Sequence, residues 1–242
     1  VSASGDAWRR IIRNSAVLAA AVLTGDWNTL RPQYVLTDFD TTAAVLDTSA
    51  VATATRVNTI LWFIDLLAGH GLPVDLRATI LLADRPELSR TLYSAGPKYA
   101  ADLMAAGMPP DQAMRKGYDR LALAAGNYMD AVSKDELQRV MGENNSYVQG
   151  YRREAKPSAC GFCRILAART NPALVGSVIF NVTEKWAKPH PNCRCVLLPQ
   201  PIFRVIRTLS RDEKAAVRDL KADLLAQRDA ALSGINERRQ VA

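Results

Sequence analysis

Apolar residues recur through the first 150 positions of this chain at the spacing of amphipathic helices. Trp8, Ile11, Ile12, Leu18, Val22 and Leu23 share one stripe, and Gly25 follows where such a helix is expected to stop. After Arg31-Pro32, Asp40 precedes the run TTAAVLDTSAVATATRVNTILWFIDLLAGHG, which reads as one long helix or two joined ones, N-capped by the aspartate and ended by Gly-His-Gly. Shorter helices are expected over 75–83, 86–94 and 97–106, each set off by Gly or Pro. Pro109-Pro110 opens a segment reaching Val132, and Ser133-Lys-Asp-Glu136 has the spacing of a capping box for a further helix running toward Arg153.

The pattern changes after Pro157. SVIFNVT alternates, with Val178, Phe180 and Val182 on one side, and CRCVLL is a second short β-rich run. From Ser210 onward, Val217, Leu220, Leu224, Ala231 and Ile235 form a stripe among charges, which predicts a terminal amphipathic helix able to dock on its own domain or on a partner. The expected fold class is therefore α+β, predominantly α-helical. A helical domain (1–148) precedes a small Cys/His-stapled α/β module with short strands (149–207) and a C-terminal helix (208–242).

Composition supports a packed protein: 48% of residues are apolar, and aromatics are only 7%, which favours helices over a β-sandwich. The longest uninterrupted apolar run, Ala16 to Leu23, is far short of the roughly 20 residues that span a bilayer, so a soluble chain without a membrane partner is expected. The opening VSASGDAWRR lacks the ordered regions of a signal peptide. Val1 is read either as the product of a GTG start codon or as a processed terminus.

Charge is unevenly placed. From Gln149 to Arg207, ten Lys or Arg face two Glu, a local charge of +8 where the whole chain carries +7. A basic excess confined to one segment points to an acidic partner there, nucleic acid or protein. The candidate contacts are Arg152, Arg153, Lys156, Arg164, Arg169, Lys185, Lys188 and Arg194.

The same segment holds all four cysteines and one of the two histidines. Cys160-x2-Cys163 is followed after 26 residues by His190-x2-Cys193-x-Cys195, two knuckles that together offer five ligands for the four positions of a tetrahedral zinc. A structural zinc on Cys160, Cys163 and two of His190, Cys193 and Cys195 is the first expectation. A disulfide frame and reduced thiols packed as small apolar groups stay open. A catalytic zinc would need an open position beside a general base, and neither His-Glu-x-x-His nor His-x-Glu occurs. His70 is expected at a helix end rather than as a catalytic base. Asp38 and Asp40 are read as helix-terminal carboxylates rather than metal ligands.

Taken together, Tyr151-Arg152-Arg153, Cys160-x2-Cys163 with Leu166-Ala167-Ala168-Arg169, and His190-Pro191-Asn192-Cys193-Arg194-Cys195 resemble the signature of the phage Mu F-like minor capsid, or head-morphogenesis, proteins. The match covers about residues 147 to 200, and two knuckles, their order and their flanks all agree. The resemblance implies a low-copy virion structural protein of a tailed bacteriophage, at the portal vertex or capsid interior, made in the host cytoplasm. It implies a role in head assembly, DNA packaging or ejection. The expected partners are the portal protein, the major capsid protein and packaged DNA held through its phosphates. Similar actinophage proteins are sometimes labelled capsid maturation proteases, which makes that enzyme the alternative. A free zinc-module nucleic-acid binder is the third reading.

Overall fold

The computed structural model describes residues 3–74, 85–155, 159, 161–169, 195–201 and 208–241. The expected helix over 75–83 and the expected strand in SVIFNVT lie outside them. The described chain is predominantly helical with one small antiparallel sheet, α+β as the residue pattern predicts. In order it runs α1 (Ala3–Asn28), a short 3-10 turn (Pro32–Tyr34), α2 (Val35–Asp38), α3 (Thr41–Gly69), α4 (Arg85–Ala95), α5 (Pro97–Ala105), α6 (Pro110–Glu143), β1 (Val148–Glu154), α7 (Gly161–Arg169), β2 (Val196–Pro201) and α8 (Arg211–Val241).

Local chemistry accounts for several boundaries. The Asp40 carboxylate accepts hydrogen bonds from the Thr42 and Ala43 amides at 2.9 and 3.0 Å, so it caps α3 as expected. α3 is a single helix. It ends where Gly71, at φ 68°, donates to the Ala68 carbonyl while Leu72 donates to that of Leu67, a Schellman closure that needs a left-handed residue. At the start of α8, Ser210 Oγ accepts from the Glu213 amide and Glu213 returns a carboxylate to the Ser210 amide. The spacing Ser-x-x-Glu is thus a working capping box there.

Three boundaries differ from the expectation. α1 continues through Gly25 to Asn28. Helix interiors tolerate a glycine at a cost of about 1 kcal/mol when packing on either side holds the turn, and Leu23 and Trp27 are both buried. α6 runs without a break across Ser133, so Ser133-Lys-Asp-Glu136 is no cap. Ser133 Oγ instead accepts from Trp8 Nε1 at 2.7 Å and meets Thr59 Oγ1 at 2.8 Å, and Glu136 binds Arg56. The helix expected to run toward Arg153 stops at Glu143, and 148–154 is a strand.

The chain divides into two compact units that interleave along the sequence, each taking part of α1, α3, α6 and α8. The first comprises 1–12, 56–80 and 131–227. Its core gathers Trp8, then Val57, Ile60, Phe63, Ile64 and Leu67 of α3, then Leu137, Val140 and Met141 of α6. Val148 and Tyr151 of β1, Val196, Leu197 and Leu198 of β2, and Leu224 of α8 complete it. Trp8 stacks on Trp62 with ring centroids 5.7 Å apart. Both strands therefore share an apolar core with long helices. Val217 and Leu220 also pack on this core, so this part of the α8 stripe is covered by its own chain rather than held out to a partner.

The second unit comprises 13–55, 81–130 and 228–242. The Trp27 ring lies edge-on to Phe39 and tilted against Tyr118. A Cβ on Gly117 would come within 2.8 Å of the Ala100 Cβ and 3.0 Å of Trp27, so only glycine permits α5 and α6 to approach so closely. Near the end of α8, Arg238 donates twice to the buried Asp47 carboxylate, at 2.9 and 2.7 Å, and Arg239 donates to the Val22 carbonyl. Among the described residues α3 is the helix long and apolar enough to cross a membrane; 61% of its most apolar 18-residue stretch is buried within the protein.

Candidate functional site

The motif-bearing segment begins in β1 and ends in β2, and these two strands pair with each other. Tyr151 lies opposite Pro199, Arg152 opposite Leu198, Arg153 opposite Leu197 and Glu154 opposite Val196, with a register irregularity between Val148 and Gly150. The Tyr-Arg-Arg lead is thus placed against the strand that follows the last cysteine, although about 45 residues intervene in sequence. Burial accounts for the match: β2 is buried at Val196, Leu197 and Leu198 in succession, and Val148 and Tyr151 supply the apolar positions by which β1 joins the same helical core. Arg9 of α1 fixes the far end of β1 through Glu154, at 2.7 Å.

α7 packs against β1. Its apolar positions are short: Cys163 and Leu166 face inward, while Phe162, Arg164 and Ile165 are exposed. Cys163, in the first turn of α7, and Cys195, one residue before β2, form a buried cluster with Ala155 and Ala159 packed against it. Each cysteine is 1% exposed, and Cys195 Sγ lies 4.0 Å from the Cys163 carbonyl oxygen. One cysteine from each knuckle has therefore come to the same place.

The other three candidate ligands, Cys160, His190 and Cys193, lie outside the described residues. Among the described residues no group of three or more His, Cys, Asp or Glu side chains is arranged to hold a metal ion. The donor set that is described fits zinc in kind: two soft sulfur donors, shielded from water, supplied by two distant segments. Cys160 and Cys163 with two of His190, Cys193 and Cys195 would hold such an ion, and the ion would supply a cross-link between the segments.

The basic candidates separate by position. Arg164 is exposed on α7 and Arg152 is half-buried. Arg153 is only 3% exposed, with its guanidinium over the Tyr151 ring at 5.9 Å, so it is a packing element of the strand and not part of an open face. Strand alternation places Arg153 on the same buried face of β1 as Tyr151. Arg169 closes α7, and Lys156, Lys185, Lys188 and Arg194 lie outside the described residues.

The remaining candidates have local structural duties. The His70 amide donates to the Leu67 carbonyl at the end of α3. Asp38 pairs with Arg31 at 2.9 Å, and Asp40 is the α3 cap.

Sequence reasoning missed a buried ionic chain in the first unit. Glu136, with no exposure, accepts from Arg56 at 3.0 Å and from Arg139, which also reaches Glu143. The (i, i+3) and (i, i+4) spacing of Glu136, Arg139 and Glu143 was a visible signal, but Arg56 is 80 positions away and only the tertiary fold adds it. Comparison with protein-family models, with curated proteins and with solved structures finds no significant match to this chain.

Proposed function

We propose that this protein is a minor capsid, or head-morphogenesis, protein of a tailed bacteriophage, of the phage Mu F-like kind. It is a low-copy virion component at the portal vertex or capsid interior and acts in head assembly, DNA packaging or ejection. The observation that carries this reading is the joining of the motif's parts. The Tyr151-Arg152-Arg153 lead is hydrogen-bonded to the strand after Cys195, and a cysteine from each knuckle shares one buried cluster. Residues that form a signature only on paper have no reason to converge, whereas a folded module requires it.

In this reading the segment is stapled by zinc, and its basic side chains, Arg164 among those described, meet phosphate groups or an acidic protein surface without reading bases. The helices supply the scaffold that presents it to the portal or the major capsid protein.

The test is quantitative mass spectrometry of purified, nuclease-treated virions, joined with affinity capture of the portal protein by this chain. A small fixed copy number per virion and recovery of the portal or major capsid protein are expected. Virions that contain none of the protein would overturn the assignment. Cleavage of coassembled capsid protein only when the chain is present would replace it with the maturation protease.

A further inference from the structure

The last turns of α8 are held by charge more than by apolar contact. Beyond Leu224, Ile235 is the buried apolar side chain of α8 among the described residues. Arg238 donates through Nε and Nη2 to Asp47 Oδ1 of α3 at 2.9 and 2.7 Å, Arg239 Nε lies 3.7 Å from Asp47 Oδ2, and Arg239 Nη2 donates to the Val22 carbonyl of α1. All of these residues belong to the second unit. The Asp47 side chain is 5% exposed, whereas those of Arg238 and Arg239 are 37% and 40% exposed, so dissolved ions reach the pair from the arginine side. A glycine lies under each guanidinium group: a Cβ on Gly234 would come within 3.3 Å of Arg238 Nη1, and one on Gly25 would stand 3.9 Å from Arg239 Nη2.

The corner they close on is acidic. Burial, then the charges of Asp47, Arg239 and Asp40, act on the Asp26 carboxyl, so three carboxyl groups share this corner with the two guanidinium groups. Asp26 Oδ2 is buried with no hydrogen-bond partner among the described residues. Attraction of the arginines to this cluster is the main hold on the end of α8, and it weakens as ions screen it. The helix is weakest just before that hold. Ser233 Oγ donates back to the Asp229 and Ala230 carbonyls at 2.9 and 3.2 Å, in competition with the helical ladder, and Gly234, a poor helix former, follows. Beyond it, 235–241 is far shorter than the roughly 12–15 residues that keep an isolated helix folded in water. Once its arginines are released, this segment loses its helix.

We infer that residues 235–241 are an ionic latch, closed where Arg238 and Arg239 meet Asp47, hinged at Ser233-Gly234, and opened by ionic strength while the rest of α8 stays docked. Closed, it covers the Asp47 carboxylate and the Val22 carbonyl. Open, it hands both to solvent and frees two guanidinium groups for another anion. The salt content of the surroundings thus sets whether this end of the chain is packed or unfolded. The latch does not depend on the zinc or phosphate contacts proposed above.

The experiment is hydrogen exchange read by mass spectrometry on the full-length chain at about 20 and about 500 mM sodium chloride, between which the screening length falls from roughly 20 to roughly 4 Å. In the wild type, exchange across 235–241 should rise about tenfold or more while that across 211–227 changes less than about twofold. Asp47→Asn and Arg238→Gln should exchange rapidly across 235–241 at both salt concentrations, with the salt response gone. Arg238 is partly exposed, so its substitution tests the latch without disturbing the core. A wild type whose exchange ignores salt overturns the latch, and so does a rise that spreads over the whole of α8. Variants that keep the wild-type salt response would also overturn it, since the hold would then lie with Ile235.

Discussion

Glu136 is enclosed between Arg56 and Arg139 with no solvent exposure, so its charge is balanced entirely by protein. Glu136→Ala leaves the buried Arg56 guanidinium without its carboxylate and Arg139 with Glu143 alone, and is expected to destabilise the protein by about 3–5 kcal/mol, measurable by urea unfolding followed by circular dichroism. Asp26 behaves in the opposite sense. Burial first, then the Asp47 carboxylate, pushes its carboxyl above the ordinary value of 3.8; Arg239 pulls it down and Asp40 adds to the rise. Its Oδ2 is buried with no hydrogen-bond partner among the described residues. The folded chain thus holds this proton to higher pH than the unfolded chain does. The site is least costly below the unfolded value and penalises the fold increasingly as pH rises through the folded value. Asp26→Asn should therefore raise the melting temperature at pH 7 and make no difference below about pH 4. An equal shift at both pH values would assign the effect to packing instead.

Helix termini at the element scale follow rules that interiors can override. Asp40→Ala removes the acceptor for two α3 amides and should cost about 1 kcal/mol in unfolding free energy, with Asp40→Asn restoring most of it. Ser210 and Glu213 satisfy the same rule at α8. Ser133 and Glu136 have the same spacing yet stand inside α6, because the preceding turn already supplies backbone acceptors for their amides and their side chains have partners on α1 and α3. A capping motif specifies a helix start only where the amides are open and the side chains are uncommitted.

At the scale of the whole molecule, β1 and β2 belong to the same apolar core as Trp8, Phe63 and Val140. The Cys/His segment is consequently anchored at both ends in a packed unit rather than strung on as a free bead. If the segment is stapled by zinc as proposed, chelation should raise amide hydrogen exchange across 156–195 and leave β1 and β2 protected. Loss of protection in both strands would show that the metal holds the core itself together. The proposed phosphate contact of the basic segment is tested at this scale too. Arg153 is turned inward, and about four phosphate contacts from the remaining basic residues would make affinity fall roughly 150-fold between 50 and 200 mM salt in a filter-binding assay. Salt-independent retention would point to a protein partner for the basic segment.

The residue pattern by itself determined the helical class, the α3 cap at Asp40, the Gly71 terminus, the amphipathic stripe of α8 and the spacing of the two knuckles. Each of these depends on neighbours within a few positions, where backbone hydrogen bonding and side-chain period act directly. Tertiary structure decided the rest. It carried α1 through Gly25 and α6 through Ser133, made a strand of 148–154, and turned Arg153 inward. It also brought Cys163 to Cys195 and Arg56 to Glu136. These outcomes depend on partners 32 and 80 positions away, and local propensities of a few tenths to 1 kcal/mol yield when a buried partner is worth more.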